Sequence, residues 1–198
     1  MEKKFILTDK FVINSFGIKL FQIKCTKSFK YAQKGDFGGY VEKEGNLDQE
    51  NDAWVFGNAR VFGNAQVFGN ARVSSNARVS GDAWVSDNAL VSGDAWVSGN
   101  AWVSGDARVS GNAWVSGNAD IENDNEHCGF DGFGSCNRHT HAYMTKEKKV
   151  EIICGCFRGS IEEFEKKVEE THSGTVYEKQ YKSIINVIKI KFGLTDFT

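Results

Sequence analysis

Between Asn51 and Glu122 a small apolar residue and a branched one recur at a fixed interval of six. The stretch divides without insertion into twelve hexads, running from NDAWVF and GNARVF to GNAWVS and GNADIE. Every hexad has Ala at its third position and Val, or Ile in the last, at its fifth. Alternation along an extended chain sends that Ala and Val to one side and the residue between them to the other. Gly followed by Asn or Asp then supplies a bend, since these residues adopt positive φ at least steric cost. Self-similarity at a fixed short period predicts a solenoid whose interior is Ala and Val.

This hexad resembles the hexapeptide repeat of left-handed parallel β-helices, in which three hexads make one triangular coil of 18 residues. The resemblance implies about four coils over residues 51–122, a prism roughly 19 Å long at about 4.8 Å per rung. Positions 18 apart then stack. One face carries Trp54, Arg72, Leu90 and Arg108 on its outside, the next Arg60, Arg78, Trp96 and Trp114, and the third Gln66, Trp84, Trp102 and Asp120. Corners stack too, as in Asn58, Asn76, Asp94 and Asn112, and no corner ladder sets Asp directly over Asp. That spacing avoids like charges at strand separation. Phe56, Phe62 and Phe68 close the first three hexads and predict an apolar collar for the N-terminal segment. The absence of Pro suits a chain that must donate backbone N–H groups rung after rung.

The flanks read differently. Residues 1–50 hold short β-type runs (KFIL, FVI, IKLFQIKC) around an NSFG turn and predict a β-rich cap, which a solenoid needs over its raw edge. Residues 123–198 predict a small α+β domain: a polar Gly-rich connection, a hairpin of HAYMT and KVEIICGCF, then two helices. Ser160 and Glu163 form a capping box before SIEEFEKKVEETH, and VYEKQYKSIINVIKIKF gives the second helix. The expected fold is therefore mainly β, a parallel β-helix between a β cap and an α+β domain. The approach KGDFGGYVEKEGNLDQENDAWVFGNA resembles enterobacterial hexapeptide-repeat proteins and related phage and prophage proteins. The run from Gly155 to Phe164, followed by Val168, His172 and Tyr181, looks like a terminal domain carried by phage members. That resemblance implies a fold, and an accessory role such as inhibiting or sequestering a host defence factor.

Charge adds little. The net charge is −2, and residues 51–122 carry 4 basic and 7 acidic groups, which disfavours nucleic acid as a partner. No segment is apolar enough for a signal peptide or a membrane span. Five Cys at 25, 128, 136, 154 and 156, an odd and uneven set, read as reduced thiols in a cytoplasm.

Three chemistries compete for what remains. Outward Trp84, Trp96, Trp102 and Trp114, with Arg72, Arg78 and Arg108, are residue types enriched at binding hot spots. They predict a binding face for a second copy (a dimer or trimer), a host protein or a small molecule. His127, Cys128, Cys136, His139, His141, Cys154 and Cys156 are the ligand types zinc prefers, but no paired Cys-x-x-Cys knuckle is present. Cys154-Gly-Cys156 reads as part of one strand with both thiols on one side. Acyl transfer, common among hexapeptide-repeat enzymes, wants a His beside the coils as general base. Residues 51–122 contain none; His127 and His172 are the nearest candidates. The sequence thus predicts a non-enzymatic binding scaffold, with a CoA-dependent acyltransferase second. It assigns no catalytic or metal-ligating residue and no cofactor.

Overall fold

The computed structural model describes residues 2–194. At the N-terminus β1 (Phe5–Ile13) and β2 (Lys19–Cys25) form an antiparallel hairpin, and β2 pairs with β3 (Phe37–Val41). Twelve two-residue strands follow, β4 (Trp54–Val55) through β15 (Asp120–Ile121), one per hexad. They stack in parallel with partners such as Trp96↔Trp114 and Val103↔Val85, so that one turn takes 18 residues. Each Ala and each Val or Ile of the hexads is buried in one continuous core. The expected register and the inward Val are both present.

The solenoid begins earlier than the hexads do. Tyr40 pairs with Arg60, Val41 with Val61 and Leu47 with Val67, each 20 residues apart rather than 18. Instead of about four coils there are about five, the first built by residues 37–50. The two extra residues lie between Leu47 and Val55, which are separated by 8 positions where later rungs have 6. Gly39 takes the place of Ala in this first coil, because a Cβ there would lie 2.7 Å from both the Ala59 carbonyl oxygen and Val55 Cγ1.

Corner geometry explains the glycines. Gly93 has φ +70°, and a Cβ on it would meet the backbone N of Gly111 on the next rung at 2.8 Å. Ser75 and Asp87 open two of the hexads that lack Gly and keep positive φ nonetheless, 61° and 55°. Stacked neighbours hold them there against a local steric cost of about 1 kcal/mol. Asn side chains bridge successive rungs, as in Asn64 to Asp82 at 3.0 Å and Asn76 to Asp94 at 3.1 Å.

Both open ends are closed. The N-terminal segment buries Trp54, 1% exposed, against Phe5 of β1 and Phe29 of the loop after β2, at centroid distances of 6.2 and 5.3 Å. Trp54 does point out of its coil, but the cap covers it. The collar is partial: Phe62 meets Phe16 and Phe56 meets Tyr31, whereas Phe68 packs on Trp84 instead. As the outer edge of a seven-stranded sheet, β1 slips register between Leu7 and Phe11, where Asp9 and Lys10 sit. A bulge and charges blunt such an edge against further pairing.

At the other end β16 (His127–Phe133), β17 (Arg138–Met144), β18 (Val150–Cys154) and β19 (Phe157–Ser160) form an antiparallel sheet in that order. It is followed by α1 (Ile161–His172) and α2 (Val176–Lys191). Two of these strands depart from expectation. The Gly-rich connection contains β16, and Gly155-Cys156 is a turn between β18 and β19, with Gly155 at φ +60°, Cys154 buried at the end of β18 and Cys156 exposed. The capping box forms as read, with the Ser160 hydroxyl accepting from Glu163 N–H and the Glu163 carboxylate from Ser160 N–H. Alternation puts β17 between two cores: Tyr143 joins the solenoid core, and Ala142 joins that of the helices.

Candidate functional site

The seven residues singled out from the sequence are spread over three faces, and the structure gathers them into two columns and two isolated arginines. On one face Trp84 and Trp102 stack at 5.2 Å with planes 1° apart. Phe68 abuts Trp84 edge-on from below, and the Lys146 ammonium lies 4.2 Å from the Trp102 ring centre. Trp84 and Trp102 remain 39% and 42% exposed. A groove of about 300 Å³ beside them is bordered by Asp87, Asp120 and Glu122, and Asp120 pairs with Lys148 at 3.3 Å.

On the second face Trp96 and Trp114 stack at 5.4 Å and 3°. The Arg78 guanidinium sits 5.9 Å below Trp96, and Phe16 from the hairpin turn reaches the same ring at 6.5 Å. Trp96 is further fixed by its indole N–H, which donates to the Ser80 hydroxyl at 2.9 Å. Strand separation sets the ring spacing in both columns, so stacking follows from register alone. Arg72 and Arg108 occupy the remaining face with Leu90 between them. Arg72 lies 5.3 Å from the Tyr31 ring with its Nε buried and unpaired, while Arg108 is exposed.

The histidines scattered in sequence meet where β16 and β17 cross the last rung. His141, 1% exposed, has Nδ1 at 3.1 Å from the Trp114 carbonyl oxygen and Nε2 at 3.1 Å from His127 Nδ1. A carbonyl only accepts, so His141 Nδ1 carries the hydrogen, its Nε2 is bare, and His127 Nδ1–H donates to it. His127 Nε2 is left buried without a partner, 3.9 Å from Asp124 Oδ1. Burial depresses His141 to about 3 and also lowers His127. His139 is held by Asp131 at 2.8 Å, and the Asn112 amide donates to the same carboxylate oxygen at 3.3 Å. The Asn112 corner ladder thereby continues into the cap. Period-two spacing of His139, His141 and Tyr143 on one strand was the available signal for this cluster.

Among the described residues no group of three or more His, Cys, Asp or Glu is placed to hold a metal ion. The cysteines are free; burial pushes the Cys128 thiol up to about 11. Cys154 accepts from the Thr140 hydroxyl at 3.2 Å, and Tyr181, raised to about 12 chiefly by burial, lies 3.8 Å from it. His172, the other candidate base, stacks on Tyr181 at 5.5 Å at the end of α1. No described helix is long and apolar enough to cross a membrane.

A family model described as YdcK Beta solenoid repeat matches residues 65–81, 71–87, 83–99 and 101–117. The similarity lies wholly within the solenoid and covers less than half of the chain. No curated protein sequence matches.

Proposed function

We propose that the protein is a non-enzymatic binding scaffold, whose solenoid holds Trp-bearing faces rigid for a protein partner, a second copy of the chain foremost. The Trp84–Trp102 pair carries this reading. Two parallel indoles on a flat sheet face keep about two-fifths of their surface in water. Exposed, preorganised aromatic surface of this kind favours association, because little side-chain freedom remains to be lost. Packing of flat faces into a trimer or dimer is what the resemblance to hexapeptide-repeat proteins adds. Its phage branch extends the proposal to a host defence factor held out of action in the host cytoplasm.

Light scattering after size exclusion tests the reading on wild type and on the Trp84→Ser/Trp102→Ser pair. Wild type is expected at two or three chain masses and the double variant at one, with circular dichroism unchanged. A wild type that runs at one chain mass across the micromolar range, and takes no partner from the host through this face, removes it.

A further inference from the structure

The two indole columns end differently. Lys146 covers the outer ring of the Trp84–Trp102 column. Trp114 stacks on Trp96 through one face, and among the described residues neither an aromatic ring nor a cation lies over its other face. It is 38% exposed and borders a cleft of about 250 Å³ beneath the C-terminal sheet. Arg138, His139, Ile153 and Gly155 form the opposite walls, and Asn112 lies at the rim.

These walls are already set. Asp131 fixes the His139 imidazole, and Asn112 fixes Asp131. The Arg138 side chain crosses the Gly155 turn, where a Cβ would lie 2.7 Å from both its Cδ and its Nη1. Any larger residue at 155 would displace the guanidinium. Arg138 makes no ion pair among the described residues, and the nearby Asp131 carboxylate is taken up by His139 and Asn112. An open indole face and an uncommitted guanidinium border the same cleft here.

We infer that this cleft binds a small planar aromatic anion. Its ring stacks on Trp114 as the next rung of the column, and its anionic group pairs with Arg138. Both interactions are individually favourable, and a charged hydrogen bond to guanidinium adds direction to the stacking. The volume falls just below the usual range of ligand pockets, which starts at about 300 Å³. One or two fused rings fit; a dinucleotide does not.

Calorimetric titration with quinoline-2-carboxylate and 1-naphthyl phosphate tests this, with quinoline and acetate as probes lacking the charge or the ring. At least one planar anion is expected to bind one-to-one, about tenfold or more tighter than either comparator. Arg138→Gln and Trp114→Leu should each weaken it about tenfold, while Phe37→Leu, an exposed ring at the other end of the solenoid, leaves it unchanged. Whichever anion binds better separates a carboxylate source from a phosphate one. Should Trp114→Leu fail to fold, Arg138→Gln alone decides, since its side chain lies at the surface. The inference is overturned if neither anion binds at millimolar concentration, or if affinity survives the loss of Arg138. The mass measurement on Trp84 and Trp102 does not enter this result, so the scaffold reading stands or falls separately.

Discussion

The two ends of the solenoid solve one problem with opposite chemistry. At the start, the exposed edge is covered by an apolar lid, Phe5 and Phe29 on Trp54, with one ammonium beneath it. Lys4 Nζ donates to the carbonyls of Asn51 at 2.6 Å and Ala53 at 2.9 Å. Its burial lowers it to about 8, so it still carries its proton at neutral pH. At the finish, the edge carbonyl of Trp114 is taken by a buried neutral histidine, itself hydrogen-bonded to a second. One closure is therefore fixed near neutrality and the other depends on imidazoles staying uncharged. Edge carbonyls need donors in either case; only the second closure buries neutral imidazoles, and so loses stability as the pH falls below their unfolded value.

The largest test of this contrast is Trp54→Ala. It removes the ring on which the first lid is built and should cost about 3–5 kcal/mol in urea denaturation. The exposed Trp102→Ala should cost no more than about 1 kcal/mol, although both residues occupy the same hexad position. Equal losses would mean that the lid contributes little.

Acid separates the ends next. A histidine depressed on folding is protonated more readily in the unfolded chain, so stability falls as pH drops below the unfolded value of 6.5 and continues to fall towards the folded one. For His141 the loss is on the order of 2 kcal/mol by pH 5. Thermal melts followed by near-ultraviolet dichroism should show that slope, and His141→Gln should flatten it. A slope unaffected by His141→Gln would place the acid-labile group elsewhere.

Between the ends, the prism offers two finer measurements. Ser80→Ala removes the acceptor of the half-buried Trp96 indole N–H and should cost about 1 kcal/mol. Asn76→Asp sets a carboxylate over Asp94, replacing the 3.1 Å amide bridge with like charges. That should cost about 0.5 kcal/mol in low salt and be diminished in 1 M salt. A loss insensitive to salt would instead point to the hydrogen bond as the term that matters.

The middle of the molecule could be read from its letters because one rule governs every residue there. Ala and Val face in, the residue between faces out, and 18 positions close a turn. Where the same geometry is built from other residues, the rule is silent. Gly39-Tyr40-Val41 forms a rung that no hexad pattern contains, since the crowding by Val55 and Ala59 that excludes Ala appears only once the chain is folded. The cover over Trp54 was hidden for the same reason: coil register tells which way a side chain leaves its own turn, not what lies across it. β16 escaped notice because Gly129, Asp131 and Gly132 suppress the strand pattern, while pairing with β17 supplies it. The outward indoles were legible one by one, but the difference between a closed and an open column depends on Lys146 and the sheet above, both distant in sequence.

The constant turn length makes the solenoid a rotary spacer between its two caps. Removing 18 residues from the interior would bring the caps closer by about 4.8 Å and keep their relative bearing. Removing six would instead swing one cap by about a third of a revolution against the other. Length and angle are thus written separately in the number of hexads, and lineages that gain or lose repeats in threes can alter reach without re-aiming what the ends carry.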